Sequence, residues 1–486
     1  MVSSGFCLFL LSACSVGPDF VRPQPPAVNR YNYGSDPKET VPVNGVAQRF
    51  DRGLGPIGNW WKLFNSKALD SAVTRGLADN PGLQAAQANL RQSQDNLRAG
   101  SGIFYPQLSA TFAQNREKSA PIISGSSVPS RIFNLTTLSA SVSYALDLFG
   151  GQRRAVESLS AQVDQERAIT FGTYIILTGN IVNTCIAIGA YQAEIDEVER
   201  LIALEKDQTA IAEKQNRAGL TIYGSVLALR TQQETLEATL PPLRQKLIEA
   251  EHLLATLAGK TPAECPPTNI MLKDISLPRE LPLSLPSELV RQRPDILAAE
   301  AQLHSASAEI GVATAALFPS ITLNANYGKA SLAMSELLDS KSTVWGIGGN
   351  VAVPLFNGGT RIFHRKAAIE AYQQSFALYR QTVLAAFAQV ADIVRALEHD
   401  AEVTAAASRA VKDAELSMNL VEHNYHAGIA NYLQVMVTDI QYRQAKITWL
   451  HAQARQLQDT TALFVALGGG WSNDLKANEK VIQHGQ

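Results

Sequence analysis

The chain says almost the same thing twice, and this duplication limits what it can fold into more than any other feature. The first half opens with Pro81, Gly100 and Phe104-Tyr105-Pro106-Gln107-Leu108. The second opens with Pro294, Gly311 and Leu317-Phe318-Pro319-Ser320-Ile321. The offset is 213 residues from Pro81 to Pro294 and again from Pro106 to Pro319. Leu148-Phe149-Gly150-Gly151 recurs as Leu355-Phe356-Asn357-Gly358 at offset 207, and Ala218-Gly219-Leu220 recurs as Ala427-Gly428-Ile429 at offset 209. Thr256-Leu257-Ala258-Gly259 closes one half as Ala466-Leu467-Gly468-Gly469 closes the other, at offset 210. Landmarks in one order at nearly constant spacing predict a duplicated structural unit.

Each unit reads as helix, strand, strand, helix, helix. In the first, residues 67–100 carry apolar residues at helical spacing with Pro81 breaking the run, followed by strands near 106–116 and 135–147 and helical runs near 152–217 and 222–258. In the second, the same parts fall near 287–315, 319–329, 343–354, 360–425 and 431–467. The strands alternate with period two. Leu138, Ala140, Val142 and Tyr144 oppose Ser139, Ser141 and Ser143, while Ile321, Leu323, Ala325 and Tyr327 oppose Thr322, Asn324, Asn326 and Gly328. Trp345, Ile347, Val351 and Val353 oppose Gly346, Gly348 and Asn350. One apolar face and one small polar face is the pattern of a membrane barrel strand, and equally of a half-buried soluble hairpin.

The helices weigh on the choice. A run of about 65 residues is about 100 Å long at 1.5 Å per residue. No proline occurs between Gly151 and Pro241 or after Pro354. Heptad-like apolar positions such as Leu201, Leu204 and Ile211 sit among many Gln, Ala and Ser, which suits side-by-side helix packing. A lipid-anchored periplasmic coiled-coil scaffold has the same spacing and stays open on this ground. Tyr105-Pro106 and Phe318-Pro319 mark helix-to-strand joints, and Gly150-Gly151 and Gly358-Gly359 mark the return. The loops Arg116 to Arg131 and Lys329 to Ser342 are polar.

Four strands cannot close a barrel, and in lipid every strand edge must be paired. Several copies must then share one sheet. Two copies make a barrel that side chains largely fill, and three make a 12-stranded barrel with a lumen. The long helices would continue as a ring below it. The expected fold is therefore mixed: a membrane β-barrel plus a long α-helical barrel, with an internal two-fold repeat, four strands per chain and 12 strands as a homotrimer.

The N-terminus has its own pattern. Gly5 to Ala13 is a short apolar run ending Leu11-Ser12-Ala13-Cys14, as in a bacterial lipoprotein signal. Cys14 is the expected lipidation site. The implied organisation is a signal peptide at 1–13, a lipidated tether at 14–60 and a first repeat at 61–259, with its hairpin at 106–147 and helical pair at 152–258. A linker at 260–286 leads to a second repeat at 287–469, with its hairpin at 319–354 and helical pair at 360–467, and a tail at 470–486. Cys185 and Cys265 remain, expected as buried or partly buried free thiols, with a disulfide in an oxidising compartment as the alternative.

Net charge is −2, so nothing electrostatic argues for nucleic acid. No stretch of 18 apolar residues suggests a transmembrane helix. No catalytic or metal site is expected. There is no His-Glu-x-x-His pair, and His304, His364, His399, His423, His426 and His451 lie on helical runs or at tips. No glycine-rich nucleotide loop follows a strand.

Four segments together carry a resemblance. They are Cys14-Ser15-Val16-Gly17-Pro18-Asp19-Phe20, Asp147-Leu148-Phe149-Gly150, Val353-Pro354-Leu355-Phe356-Asn357-Gly358-Gly359, and the run from Leu285 through Arg291-Gln292-Arg293-Pro294-Asp295 to Glu300. The chain resembles the outer membrane factors, the NodT-type relatives of TolC that are outer membrane lipoproteins of resistance-nodulation-division (RND) tripartite efflux systems. The resemblance implies a homotrimer in outer membrane lipid, a 12-stranded barrel, a periplasmic helical barrel and an equatorial region. It implies a periplasmic adaptor protein and an inner-membrane RND-type pump as partners, and no cofactor. A type I protein-secretion duct is the alternative within the class.

The resemblance also assigns the tips. In the family the helix–helix turns form the closed aperture and meet the adaptor. Here they match Gly219 and Leu220, and Gly428 and Ile429. Relatives carry an aspartate in a Tyr-Leu-x-x-Leu-Asp context. Val437 holds that place here, and Asp439 follows two residues later, turned by about 200°. The expected aperture is therefore Tyr425, Tyr432 and Gln434, with Asp439 facing away and no acidic ring.

Overall fold

The structure, a computed structural model, describes residues 15–34, 36–43, 45–55, 57–119, 130–266 and 269–469. Cys14 and the signal peptide expected before it, residues 120–129 and the tail expected at 470–486 lie outside the described residues. In chain order the elements are β1 (Arg49–Asp51), α1 (Lys67–Asp79), α2 (Pro81–Ser101), β2 (Gln107–Ser119), β3 (Arg131–Leu146), α3 (Gly151–Arg217), α4 (Tyr223–Glu237) and α5 (Leu240–Leu257). There follow β4 (Glu280–Pro282), α6 (Pro286–Leu289), α7 (Pro294–Ala315), β5 (Ser320–Ser331), β6 (Thr343–Ala352), α8 (Thr360–His426) and α9 (Tyr432–Ala466). Helices α3 and α8 are each 67 residues, about 100 Å at 1.5 Å per residue.

Several expected boundaries move, each for a local reason. The single helical run near 222–258 is two helices, because Pro241 and Pro242 cannot donate into a preceding turn and α4 ends at Glu237. The run near 287–315 is likewise α6 and α7, since the residue before Pro294 is barred from helical geometry. The loop expected from Arg116 to Arg131 is partly ladder: Arg116 pairs with Asn134, and pairing continues to Ser119 with Arg131. Polar side chains end an apolar belt, but they do not end backbone hydrogen bonding. Strand β5 similarly runs to Ser331, past the expected end near 329.

The chain divides into two compact units. One comprises residues up to Arg22, Leu90–Glu166 and Ala299–Tyr379, and the other comprises Pro23–Asn89, Arg167–Ala298 and Arg380 onward. The first holds a four-stranded antiparallel sheet in the order β2-β3-β5-β6. Over the helix-proximal rows its register keeps the large apolar residues on one face, while Phe133, Leu135 and Val344 fall on the other toward the hairpin end. Leu108, Val142, Ala325 and Ile347 align in one row and Ala110, Ala140, Tyr327 and Trp345 in the next. The opposite face aligns Gln107, Ser143, Asn324 and Gly348, then Ser109, Ser141, Asn326 and Gly346.

In the same unit, residues 15–22 are docked rather than free. Val16 N–H donates to Phe149 O at 3.0 Å. The Arg154 guanidinium donates to Asp19 at 2.5 Å and to Glu157 at 2.7 Å. Arg22 pairs with Glu300 at 2.6 Å, and Phe20 stacks on His304 with ring centroids 4.4 Å apart. Gly17, at φ +96°, lies so close to Gly311 that a Cβ there would stand 2.5 Å from its Cα.

The second unit holds the apolar core. Trp60 and Phe464 stack at 5.2 Å, with Phe64, Trp61 and Leu69 buried around them. One window of α3 is apolar enough by composition to cross a membrane. Its Ile181, Val182, Cys185 and Ile186 are fully buried in this core, which accounts for the apolarity. Residues expected as an extended tether also join the unit: β1 pairs in parallel with β4, Arg49 opposite Glu280. Both cysteines are free thiols, and burial pushes the Cys185 thiol up to about 12.

Candidate functional site

The first candidate surface is the small polar face of the sheet. Its rows carry Ser, Thr, Asn and Gly because only short side chains leave space over a pleated inner surface. Ser109 and Ser141 hydroxyls bond across the strands at 2.9 Å. Charged side chains on this face are confined to its hairpin end, at Glu117 and Arg131, among the described residues. The two outer strands, β2 and β6, each pair on one side only, and their outer edges meet no strand among the described residues.

The tips lie in the other unit and share one geometry. Gly219 and Gly428 take φ of +75° and +74°, which only glycine adopts without strain. At the first tip Leu220 N–H donates to Gln215 O at 2.8 Å and Gly219 N–H donates to Asn216 O at 2.9 Å. At the second, Ile429 N–H donates to Asn424 O at 2.8 Å and Gly428 N–H donates to Tyr425 O at 3.0 Å. This is the Schellman closure, in which the residue after the glycine commonly folds its side chain back onto the helix. Here Leu220 is 77 % exposed and Ile429 78 %, so both project outward.

The aperture candidates are placed as follows. Tyr425 and Tyr432 face each other across the second tip with ring centroids 5.7 Å apart. Gln434 has a local role that no sequence expectation assigned. Its side-chain oxygen accepts from Asn431 N–H at 3.0 Å, while its own N–H donates to Asn431 Oδ1 at 2.9 Å, a reciprocal cap on α9. The first tip lacks such a side-chain cap at Ile222. Asp439 pairs with Arg443 Nε at 3.0 Å, one turn along α9.

Arg443 leads to a group that the sequence reading missed. Glu197 of α3, with a side chain only 5 % exposed, meets Arg443 at 3.0 Å and Lys446 at 2.7 Å, both from α9, and Arg200 at 3.4 Å. One turn earlier on α3, Glu194 meets His451 at 2.9 Å, and that hydrogen bond raises the imidazole pKa. A signal was present in the chain: Glu194 and Glu197 are three apart on α3, as Arg443 and Lys446 are on α9. Nearer the tip, burial raises the Glu205 carboxyl while Gln232 Nε2, donating at 2.5 Å, lowers it.

None of these groups forms a nucleophile–base pair. The arrangement offers surfaces: a small polar sheet face and two exposed apolar turns. Comparison with known proteins accords with that. The outer membrane efflux protein family matches residues 73–260 and 285–469, one match in each half. The pyoverdine export outer membrane protein OpmQ of Pseudomonas aeruginosa is 30 % identical over 435 residues, covering 86 % of this chain and 88 % of that protein. The cation efflux system protein CusC of Escherichia coli is 27 % identical over 474 residues, covering 96 % and 98 %. The solved outer-membrane channel OprN superposes with a TM-score of 0.82 at 24 % identity, covering 94 % of this chain and all of that one, a likeness of fold.

Proposed function

The chain belongs to the outer membrane efflux protein family, and we propose that three copies of it form one sealed duct. As a member it is an outer membrane efflux channel, a class of channels and not of enzymes. The observation that carries the trimer is the sheet: four strands, two edges without a partner strand, one apolar face and one small polar face. In lipid an open edge costs several kcal/mol per unpaired group. Strand β2 of one copy would pair with β6 of the next, and 12 strands leave a water-filled lumen lined by the polar face. Size-exclusion chromatography with light scattering in detergent tests this. A trimer mass is expected, and a monomer would sink the reading.

The partners in this reading are a periplasmic adaptor at the tips and an inner-membrane pump of the RND class. Leu220 and Ile429, projecting beside rigid glycine turns, support the adaptor contact. Cys14 would carry the lipid, and the docked segment that follows it supports a fixed point of attachment. Metabolic labelling with a palmitate analogue should mark the wild type and not Cys14→Ser. Cargo is set elsewhere, since relatives of similar identity are named for pyoverdine and for cations.

A further inference from the structure

We propose that the apolar face of the sheet, at its hairpin end, binds the phosphate groups of an outer-leaflet glycolipid through Arg116, Lys118 and Lys329. The inference rests on the barrel reading above, in which this face meets lipid and the hairpin turns point outward.

The register makes the apolar face a depth scale. From the helix-proximal end the rows are Leu146, Ile321 and Val351; then Tyr144, Leu323 and Gly349; then Leu108, Val142, Ala325 and Ile347; then Ala110, Ala140, Tyr327 and Trp345. None of these residues is charged. The next row is Phe112, Leu138, Lys329 and Thr343, and beyond it on β2 come Arg116, opposite Asn134, and Lys118, opposite Ile132. From the Leu146 row to the Lys329 row is eight residues along β3, about 26 Å of strand, or about 20 Å of depth at a tilt near 40°. That is most of the apolar band of an outer membrane barrel, so the three cations begin where lipid headgroups begin.

Two further features fit headgroups better than bulk water. Tyr327 and Trp345 lie directly opposite each other and are exposed, at the depth where aromatic rings settle at an interface. Lys329 is held rather than loose: its ammonium donates to Asp339 O at 2.7 Å and to Thr343 Oγ1 at 3.0 Å. An ammonium has three donors, so one N–H is left for a ligand. No acidic side chain of the four strands lies on this face among the described residues, because Glu117 points to the other side. The segment between β5 and β6 carries the carboxylates Glu336 and Asp339. A cationic strip with no counter-charge on its own face, above an aromatic pair, matches a multiply phosphorylated glycolipid.

The test uses the full-length protein in mild detergent and native mass spectrometry. The probes are a bisphosphorylated lipid A, its dephosphorylated form and phosphatidylglycerol. The wild type should retain the bisphosphorylated lipid. Retention should fall about ten-fold in R116E/K118E, in the milder R116Q/K118Q and with the dephosphorylated lipid. Glu117→Gln, on the lumen face, should leave retention unchanged. Equal retention by wild type and the R116Q/K118Q variant overturns the proposal, as does equal retention of the dephosphorylated lipid or of phosphatidylglycerol. If the wild type itself fails to fractionate with the outer membrane, it is the barrel reading that fails.

Discussion

The Arg293 guanidinium donates from Nη1 to the carbonyl oxygen of Ala466 at 3.0 Å, closing the end of α9 with a side chain 173 residues earlier. Asn80 does the same for α5, donating to Leu257 O at 2.9 Å. Each donor immediately precedes the proline that opens the next helix, Pro294 or Pro81. Beside each, a left-handed glycine makes a close approach: Gly468 to Gln292 O, and Gly259 to Asp79 O. The two relations are one device used twice.

Removing the donor leaves terminal helix carbonyls without a partner. Arg293 is also paired with Asp295 at 2.7 Å, and its side chain is 11 % exposed. Arg293→Ala should cost about 2 kcal/mol and Asn80→Ala about 1 kcal/mol, as for charged and neutral hydrogen bonds. Thermal unfolding in detergent checks the order; an Asn80 variant less stable than the Arg293 variant would contradict it.

Asp400 of α8 gives a pH dependence. Burial pushes its carboxyl up to about 7, reinforced by the hydrogen bond that the protonated carboxyl donates to Asp459 and by the charge of Asp459, against the pull of Arg455 at 3.1 Å. The native state therefore keeps a proton that the unfolded chain releases near pH 4. The resulting stability is present below about pH 4 and lost as pH rises through about 7. Asp400→Asn should unfold at a higher temperature than wild type at pH 8, with the two curves converging toward pH 4. Parallel curves across that range would exclude this account.

The exposed tip residues should affect export and leave assembly intact. Leu220→Ser and Ile429→Ser remove apolar contact area worth about 1–2 kcal/mol per site in a packed interface. Drug or metal sensitivity of cells carrying the double variant should rise toward that of the deletion, at unchanged outer membrane level and trimer mass. Unchanged resistance would show that the adaptor docks elsewhere.

Asp439 is paired with Arg443, and on that pairing we expect no cation-binding ring at the second tip. Single-channel recordings of the wild type should show no strong block by divalent cations added from the periplasmic side. Arg443→Ala removes the counter-charge and should introduce such a block. Strong block of the wild type would mean that the Asp439 pair opens in the working channel.

Legibility in the sequence followed how local each constraint is. Pro81, Pro294, Gly219 and Gly428 announce themselves because their backbone chemistry allows few neighbours. The alternation around Leu138 and Ile321 reports one face of a sheet within ten residues. The pairing of Arg49 with Glu280 does not, because three-residue strands carry no usable period. Glu197 with Arg443 joins positions 246 residues apart, and charges three apart on each helix mark a charged face without saying which face they will meet. At the tips the turns were readable, while the cap formed by Gln434 depended on a side-chain torsion.

The dock for residues 15–22 has an order in time built into it. Asp19 waits for Arg154, 135 residues later, and Arg22 waits for Glu300, 278 residues later. Until α7 has been made and folded, the segment beside Cys14 has nowhere to sit. In the reading in which Cys14 carries lipid, attachment of the N-terminus to lipid would precede its attachment to the protein. A chain so tethered would search for its partners within one patch of membrane, at a far higher local concentration than free diffusion gives.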